Sequence, residues 1–139
     1  MAAQAIKPDQ FTVTIDKVLD EYANELGSKL EEIEKKVGKQ TVATLKRTSP
    51  RETVNKRMDH YADGWRFNIE RQPFKGYTRV VVYNAEQYQL THLLEYGHDV
   101  KRRKGGPVVG HADANPHIAP AQEEAERLAL SLIEKEIGS

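Results

Sequence analysis

Apolar residues recur along the chain with two different periods, and the changes of period mark its elements. Phe11, Val13 and Ile15 alternate with Thr12 and Thr14, which predicts a short strand. From about Asp16 the spacing turns helical. Val18, Leu19, Tyr22, Leu26, Leu30, Ile33, Val37, Thr41 and Leu45 form one stripe along a helix of about 30 residues, roughly 45 Å at the usual rise. Gly27 and Gly38 interrupt it, each costing up to about 1 kcal/mol relative to alanine, and each is expected to mark a bend or a close contact. The run Glu31-Glu32-Ile33-Glu34-Lys35-Lys36 keeps its charges off the stripe as a solvated face, with Glu31 and Lys35 spaced for an i,i+4 pair. So narrow a stripe needs a surface to lie against. The protein's own sheet covers it in one reading; in the other a neighbouring subunit shares it, which makes Leu30, Ile33 and Val37 interface candidates.

Thr48-Ser49-Pro50 ends this helix. Ser49 and Glu52 have capping-box spacing, so a short helix or turn is expected from Pro50 to about His60, with Met58 and His60 as packing and surface residues. Alternation returns at Gly64–Arg71, where Trp65, Phe67 and Ile69 face inward, and at Thr78–Asn84; the short turn Gln72–Gly76 makes these antiparallel partners. A short amphipathic helix follows over Tyr88–Tyr96, with Leu90, Leu93 and Leu94 on one face and Gly97 as its left-handed stop. Asp99–Pro107 reads as an exposed loop carrying Lys101-Arg102-Arg103-Lys104, since four consecutive cations cannot be buried unpaired. Val108-Val109 returns as a short strand, and Pro116–Pro120 is expected to be extended because proline disfavours helix in the residue before it. The last helix starts near Pro120 and buries Ala121, Ala125, Leu128, Leu132, Ile133 and Ile137, with Gly138 as terminator. The order β-α-(α)-β-β-α-β-α predicts an α+β fold: a long N-terminal helix and a C-terminal helix on a small antiparallel β-sheet. Residues 1–9 are expected to be a flexible arm, and 10–139 a single domain with its exposed basic loop at about 97–110.

Composition narrows the function. Lys plus Arg and Asp plus Glu are both 21 in 139 residues, so the chain as a whole has no pull toward polyanions, against a dedicated nucleic-acid binder. The absence of cysteine excludes disulfides, zinc–thiolate sites and thiol catalysis. Met-Ala-Ala-Gln-Ala-Ile-Lys-Pro lacks the charged start and apolar core of a secretory signal, and no stretch approaches the roughly 20 apolar residues that span a bilayer. The strongest enzyme-like feature is His92, His98, His111 and His117 near Asp99, Asp113 and Asn115. Their spacings of 6, 13 and 6 match neither a helical i,i+4 pair nor a metal signature, and such loop histidines serve more often as turn residues. No serine or lysine sits in an activating context, and Gly105-Gly106 alone is no phosphate loop.

Taken in order, Thr48-Ser49-Pro50, Gly64-Trp65-Arg66, His92-Leu93-Leu94-Glu95-Tyr96-Gly97-His98, Gly105-Gly106 and Pro116-His117-Ile118-Ala119-Pro120-Ala121 resemble the gene-product-ten-like tail-component family of long-tailed bacteriophages. The matches run from about residue 48 to 121. Asn55–His60 departs from the pattern as an insertion. The resemblance implies a non-enzymatic assembly protein without cofactor or metal, acting in tail completion or head–tail joining at the neck. Its partners would be itself, as a homo-oligomeric ring for which a hexamer suits the tail's symmetry, and the neighbouring connector, tail-terminator or tail-tube proteins. No membrane and no specific nucleic acid is implied. Its place would be the head–tail junction of the virion, and the host cytoplasm during assembly. In this reading Glu95 fixes the end of its helix, His117 locks the Pro116–Pro120 segment, and Lys101, Arg102, Arg103 and Lys104 dock a partner. Two alternatives stay open: a metal-dependent nuclease using His98, His111 and His117, and a DNA-binding accessory protein using the 101–104 cations, whose affinity would be weak and salt-sensitive.

Overall fold

The computed structural model describes residues 12–16, 18–20, 22, 29–50, 61–72, 77–101 and 103–138. The alternation in the middle of the chain builds two eight-residue strands, β2 (Trp65–Gln72) and β3 (Tyr77–Asn84), after β1 (Thr12–Thr14) and helix α1 (Lys29–Thr48). β2 and β3 pair antiparallel in continuous register from Trp65↔Asn84 to Gln72↔Tyr77. β1 joins the other edge of β3, giving the order β1-β3-β2. Helix α2 (Tyr88–Tyr96), a hairpin of β4 (His98–Lys101) and β5 (Val108–Ala112), and helix α3 (Ile118–Gly138) complete the chain. This is an α+β fold. No helix among the described residues is long and apolar enough to cross a membrane.

The core lies between the three-stranded sheet and the two long helices. Val13, Ile15, Trp65, Val80 and Val82 meet Leu30, Ile33, Val37 and Leu45 of α1, and Ala121, Ala125, Ala129 and Ile133 of α3. Each large aliphatic side chain so buried contributes about 1.5–3 kcal/mol. The alanines recur every four residues along one face of α3, and such small side chains let helix axes approach closely; α3 packs along α1. Leu30, Ile33 and Val37 are 6%, 4% and 0% exposed, so the protomer itself covers this part of the stripe. These three are core residues, not surface for a neighbour.

Other side chains also fall differently from their sequence pattern. Glu34 is wholly buried on the sheet-facing side of α1, not on a solvated face. Its carboxylate accepts from Thr78 Oγ1 at 2.6 Å and Arg71 Nη2 at 3.2 Å, which offsets part of the cost of burying it. Desolvation raises its pKa above the ordinary value, while the Thr78 hydrogen bond and the Arg71 charge pull it back. Arg79 is likewise buried, held by Glu70 at 2.8 Å and Asp16 at 3.4 Å. The expected Glu31–Lys35 pair forms on the exposed side at 3.2 Å. Along α3, Ala129 belongs to the core while Ile137 is exposed. Residues 16, 18–20 and 22 are helical, as the stripe predicts; the join to α1, including Gly27, lies outside the described residues. So do the 1–9 arm, the 73–76 turn and Met58 and His60.

Gly38 explains itself by contact. A Cβ there would run into one side of the Phe67 ring of β2, at Cδ2, Cε2 and Cγ. Gly38→Ala should therefore lower stability by about 1–3 kcal/mol, against the gain of up to about 1 kcal/mol that alanine brings to an open helix. Urea unfolding measures this. A variant at least as stable as the parent would mean that Phe67 swings clear.

Candidate functional site

Helix α2 is the joint between the sheet and the C-terminal third of the chain. The turn that leads into it is held by Asn84, whose Oδ1 accepts from the Glu86 and Gln87 amides at 3.1 and 2.8 Å. The Asn84 Nδ2 group donates to the Tyr61 carbonyl at 2.7 Å, tying α2 to the helical residues 61–63. The inward side of α2 is Leu90, Thr91, Leu94 and Glu95, with Leu93 turned to the rim. On the outward side the His92 and Tyr96 rings meet at a tilt, their centroids 4.9 Å apart, and Tyr88 is exposed on the same helix.

Gly97 ends the helix with φ 79° and ψ 169°, a region open to glycine and costly for other residues. A Cβ there would also lie 2.7 Å from the Ala112 carbonyl oxygen, so the hairpin's exit passes too close for any side chain. The Asn115 amide donates to the Leu94 carbonyl at 2.8 Å and closes the joint.

Glu95 then does something the sequence pattern does not suggest. Its Oε1 accepts from the backbone amides of His117 and Ile118, both at 2.8 Å, and its Oε2 from that of Ala119 at 3.0 Å. The amides at the start of a helix have no partner within it and carry partial positive charge, so a buried carboxylate satisfies and attracts them together. The next residue, Pro120, has no amide to satisfy, and Ala121 reaches the His117 carbonyl at 3.4 Å. Glu95 thus caps α3, not the end of its own helix. Helix α3 consequently begins at Ile118, and the expected extended Pro116–Pro120 segment is already helical over its second half. Proline is tolerated in a helix's first turn, so Pro120 is no obstacle.

His117 sits beneath this cap. Its Nδ1 faces the Asn115 carbonyl at 2.7 Å and Glu95 Oε1 at 3.2 Å, so the ring proton belongs there. The other nitrogen, Nε2, accepts from the Tyr61 hydroxyl. Burial, and after it the Glu95 charge, pushes the Tyr61 phenol far above its ordinary value and keeps it a donor. Tyr61, Trp65 and His117 meet edge to face, with centroids 5.5–6.2 Å apart. Trp65 Nε1 donates to Ser49 Oγ at 2.8 Å, so Ser49 serves as the tryptophan's acceptor. Tyr61, Trp65 and His117 are all buried, and together they make a polar–aromatic anchor.

From this anchor the β4–β5 hairpin projects. Its first strand takes Asp99–Lys101 out of the expected loop, and its second carries the expected Val108-Val109 strand on to Ala112. Its strands pair from His98↔Ala112 to Lys101↔Val108, with an irregularity at Val100/Lys101, and its turn carries Gly105 at φ 76°. The hairpin makes no extended contact with any other described element. Val100, Val108 and Val109 are exposed on it, the last two at 53% and 50%. Lys101, Arg103 and Lys104 are exposed at its tip, and Arg102 lies outside the described residues.

The histidines stand apart. His117 is in the anchor, His92 is on α2, His98 is half-buried at the hairpin's root, and His111 meets Asp99 across the exposed hairpin at 3.2 Å. No group of three or more His, Asp or Glu among the described residues could hold a metal ion. Of the motif residues, Trp65, Glu95, Gly97, Pro116, His117 and Pro120 converge on the anchor or its helix start, whereas Tyr96 faces outward at 60% exposure. Tyr61 and Asn84, equally central, carry no local signal; only the packing finds them.

A model of the HK97-gp10-like family of bacteriophage tail components matches residues 8–97. The match takes in α1, the β2–β3 pair and α2, and stops before the hairpin. No curated protein and no solved structure matches the chain.

Proposed function

Because this chain belongs to the HK97-gp10-like family of bacteriophage tail components, we propose that it acts in tail completion or head–tail joining, as a homo-oligomeric ring. Membership makes it a structural protein associated with the virion. The ring, the junction and the neighbours are our reading. One observation carries it: a hairpin with exposed valines and a cationic tip projects from the anchor and makes no extended contact with any other described element. An isolated two-stranded hairpin is at best marginally stable in water, so this one gains most by packing on another molecule. A protein of this size that must surround a tail axis needs such a feature, because a ring requires one face of a subunit to meet a different face of the next. The outward side of α2, with Tyr88, His92 and Leu93, is available to a connector, terminator or tube protein above or below the ring.

Light scattering over a range of concentrations tests the ring. The expected result is a species at an integer multiple of 15.8 kDa, growing in with concentration. In the phage or prophage that encodes the chain, its deletion should leave filled heads and tails unjoined. A monomer at every concentration, together with complete virions from the deletion, would remove the reading.

A further inference from the structure

The chain is neutral overall, yet its charge is segregated at its C-terminal end. In the hairpin, residues 98–112, four cations stand against Asp99 alone, a net charge of +3. In α3, residues 118–138, five glutamates stand against Arg127 and Lys135, a net charge of −3. Both elements also expose apolar side chains. Glu123, Leu130, Glu134 and Ile137 lie at i, i+7, i+11 and i+14 and share one face of the helix, with Glu126 at one margin and the exposed Arg127 at the other, so that the face keeps a net negative charge. Leu130 and Ile137 are 39% and 46% exposed. This face is about 21 Å long at the helical rise, long enough to receive a five-residue strand of about 17 Å.

The two surfaces complement each other in charge, apolar character and length, yet within one protomer the hairpin makes no extended contact with α3. We infer that the hairpin of one copy lies along the acidic face of α3 of the next copy. Val108 and Val109 pack against Leu130 and Ile137, and Lys101, Arg103 and Lys104 face Glu123, Glu126 and Glu134. The contact joins two different faces, so its repetition closes a ring or runs on as a filament. Uncovered valines and uncovered helix hydrophobes are removed from water together, and the segregated charge sets register and order of approach. The inference rests on the ring reading and specifies which surfaces build it.

Charge reversal tests it. One variant carries Lys101→Glu, Arg103→Glu and Lys104→Glu; the other carries Glu123→Lys, Glu126→Lys and Glu134→Lys. Each alone places like charges across the contact, and its subunit dissociation constant should rise on the order of a hundredfold or more in sedimentation experiments at low salt. Mixed in equal amounts, the two should associate again to within about tenfold of the parent, because each hairpin then meets a helix of opposite sign. Recovery in the mixture also shows that both variants are folded. A parent oligomer that neither variant weakens overturns this interface and leaves the ring standing. A parent that stays monomeric, with no association in the mixture, overturns this interface, and complete virions from the deletion would then remove the ring reading with it.

Discussion

Glu95→Ala should lower the unfolding free energy by about 3–5 kcal/mol. The substitution leaves the amides of His117, Ile118 and Ala119 without an acceptor; the first two lie in buried residues, where each orphaned amide costs roughly 1–3 kcal/mol, while Ala119 is exposed and can turn to water. The penalties overlap, because the first turn of α3 can fray to reach solvent, so the sum is not reached. Against a usual total of about 5–15 kcal/mol, the loss brings the protein near its folding threshold. Glu95→Gln keeps Oε1 for His117 and Ile118 but turns an NH2 group toward the Ala119 amide, and should cost about 1–2 kcal/mol. Urea unfolding gives the totals, and amide exchange locates them: protection should fall first at Ile118–Ala121. Unchanged protection there would mean that another group caps the helix.

Trp65→Ala should cost about as much, roughly 3–5 kcal/mol, for a different reason. Trp65 is wholly buried between Tyr61 and His117, and its removal opens a cavity at the point where β2, α2 and α3 are tied together. Trp65→Phe fills most of that space yet strips the donor from the buried Ser49 hydroxyl, for about 1–2 kcal/mol. Circular dichroism through a urea titration follows both variants. Because Trp65 is the single tryptophan, its fluorescence in the parent reports directly on the anchor. A Trp65→Ala loss under about 1 kcal/mol would show that the node collapses onto itself, and the anchor would then not explain how the hairpin is held.

These two residues were not equally legible. Trp65 stands on the inward side of an alternating strand, so its burial follows from its neighbours. Glu95 lies in a helix whose three leucines suggest a face centred on them. The helix is rotated from that expectation: Leu93 is at the rim, and Glu95 points inward toward amides more than twenty positions later in the chain. A pattern that scores apolar against polar places a glutamate outside, and Glu34 misleads in the same way. In both cases the acceptor is buried because a distant partner waits for it: Thr78 and Arg71 for one, a helix start for the other.

The interface candidates divide along the same line. Leu30, Ile33 and Val37 carry a helical period, which predicts a covered face but not what covers it; their own sheet and α3 do. The 101–104 cations had to be exposed whatever the fold, since burying them unpaired is prohibitive. That Lys101, Arg103 and Lys104 ride on a hairpin near exposed valines, without extended contact with the acidic α3, required the structure.

By itself, then, the sequence determined the fold class and the described elements other than β4, which it read as loop. The strand and helix periods, the proline and glycine stops and the charge runs act through neighbours a few positions apart, where backbone geometry leaves few choices. Which glutamates are buried, where α3 begins, why Gly38 is a glycine and which hydrophobes stay uncovered were decided by the tertiary structure. Each of these depends on a partner many residues away, and no local period encodes the identity of that partner.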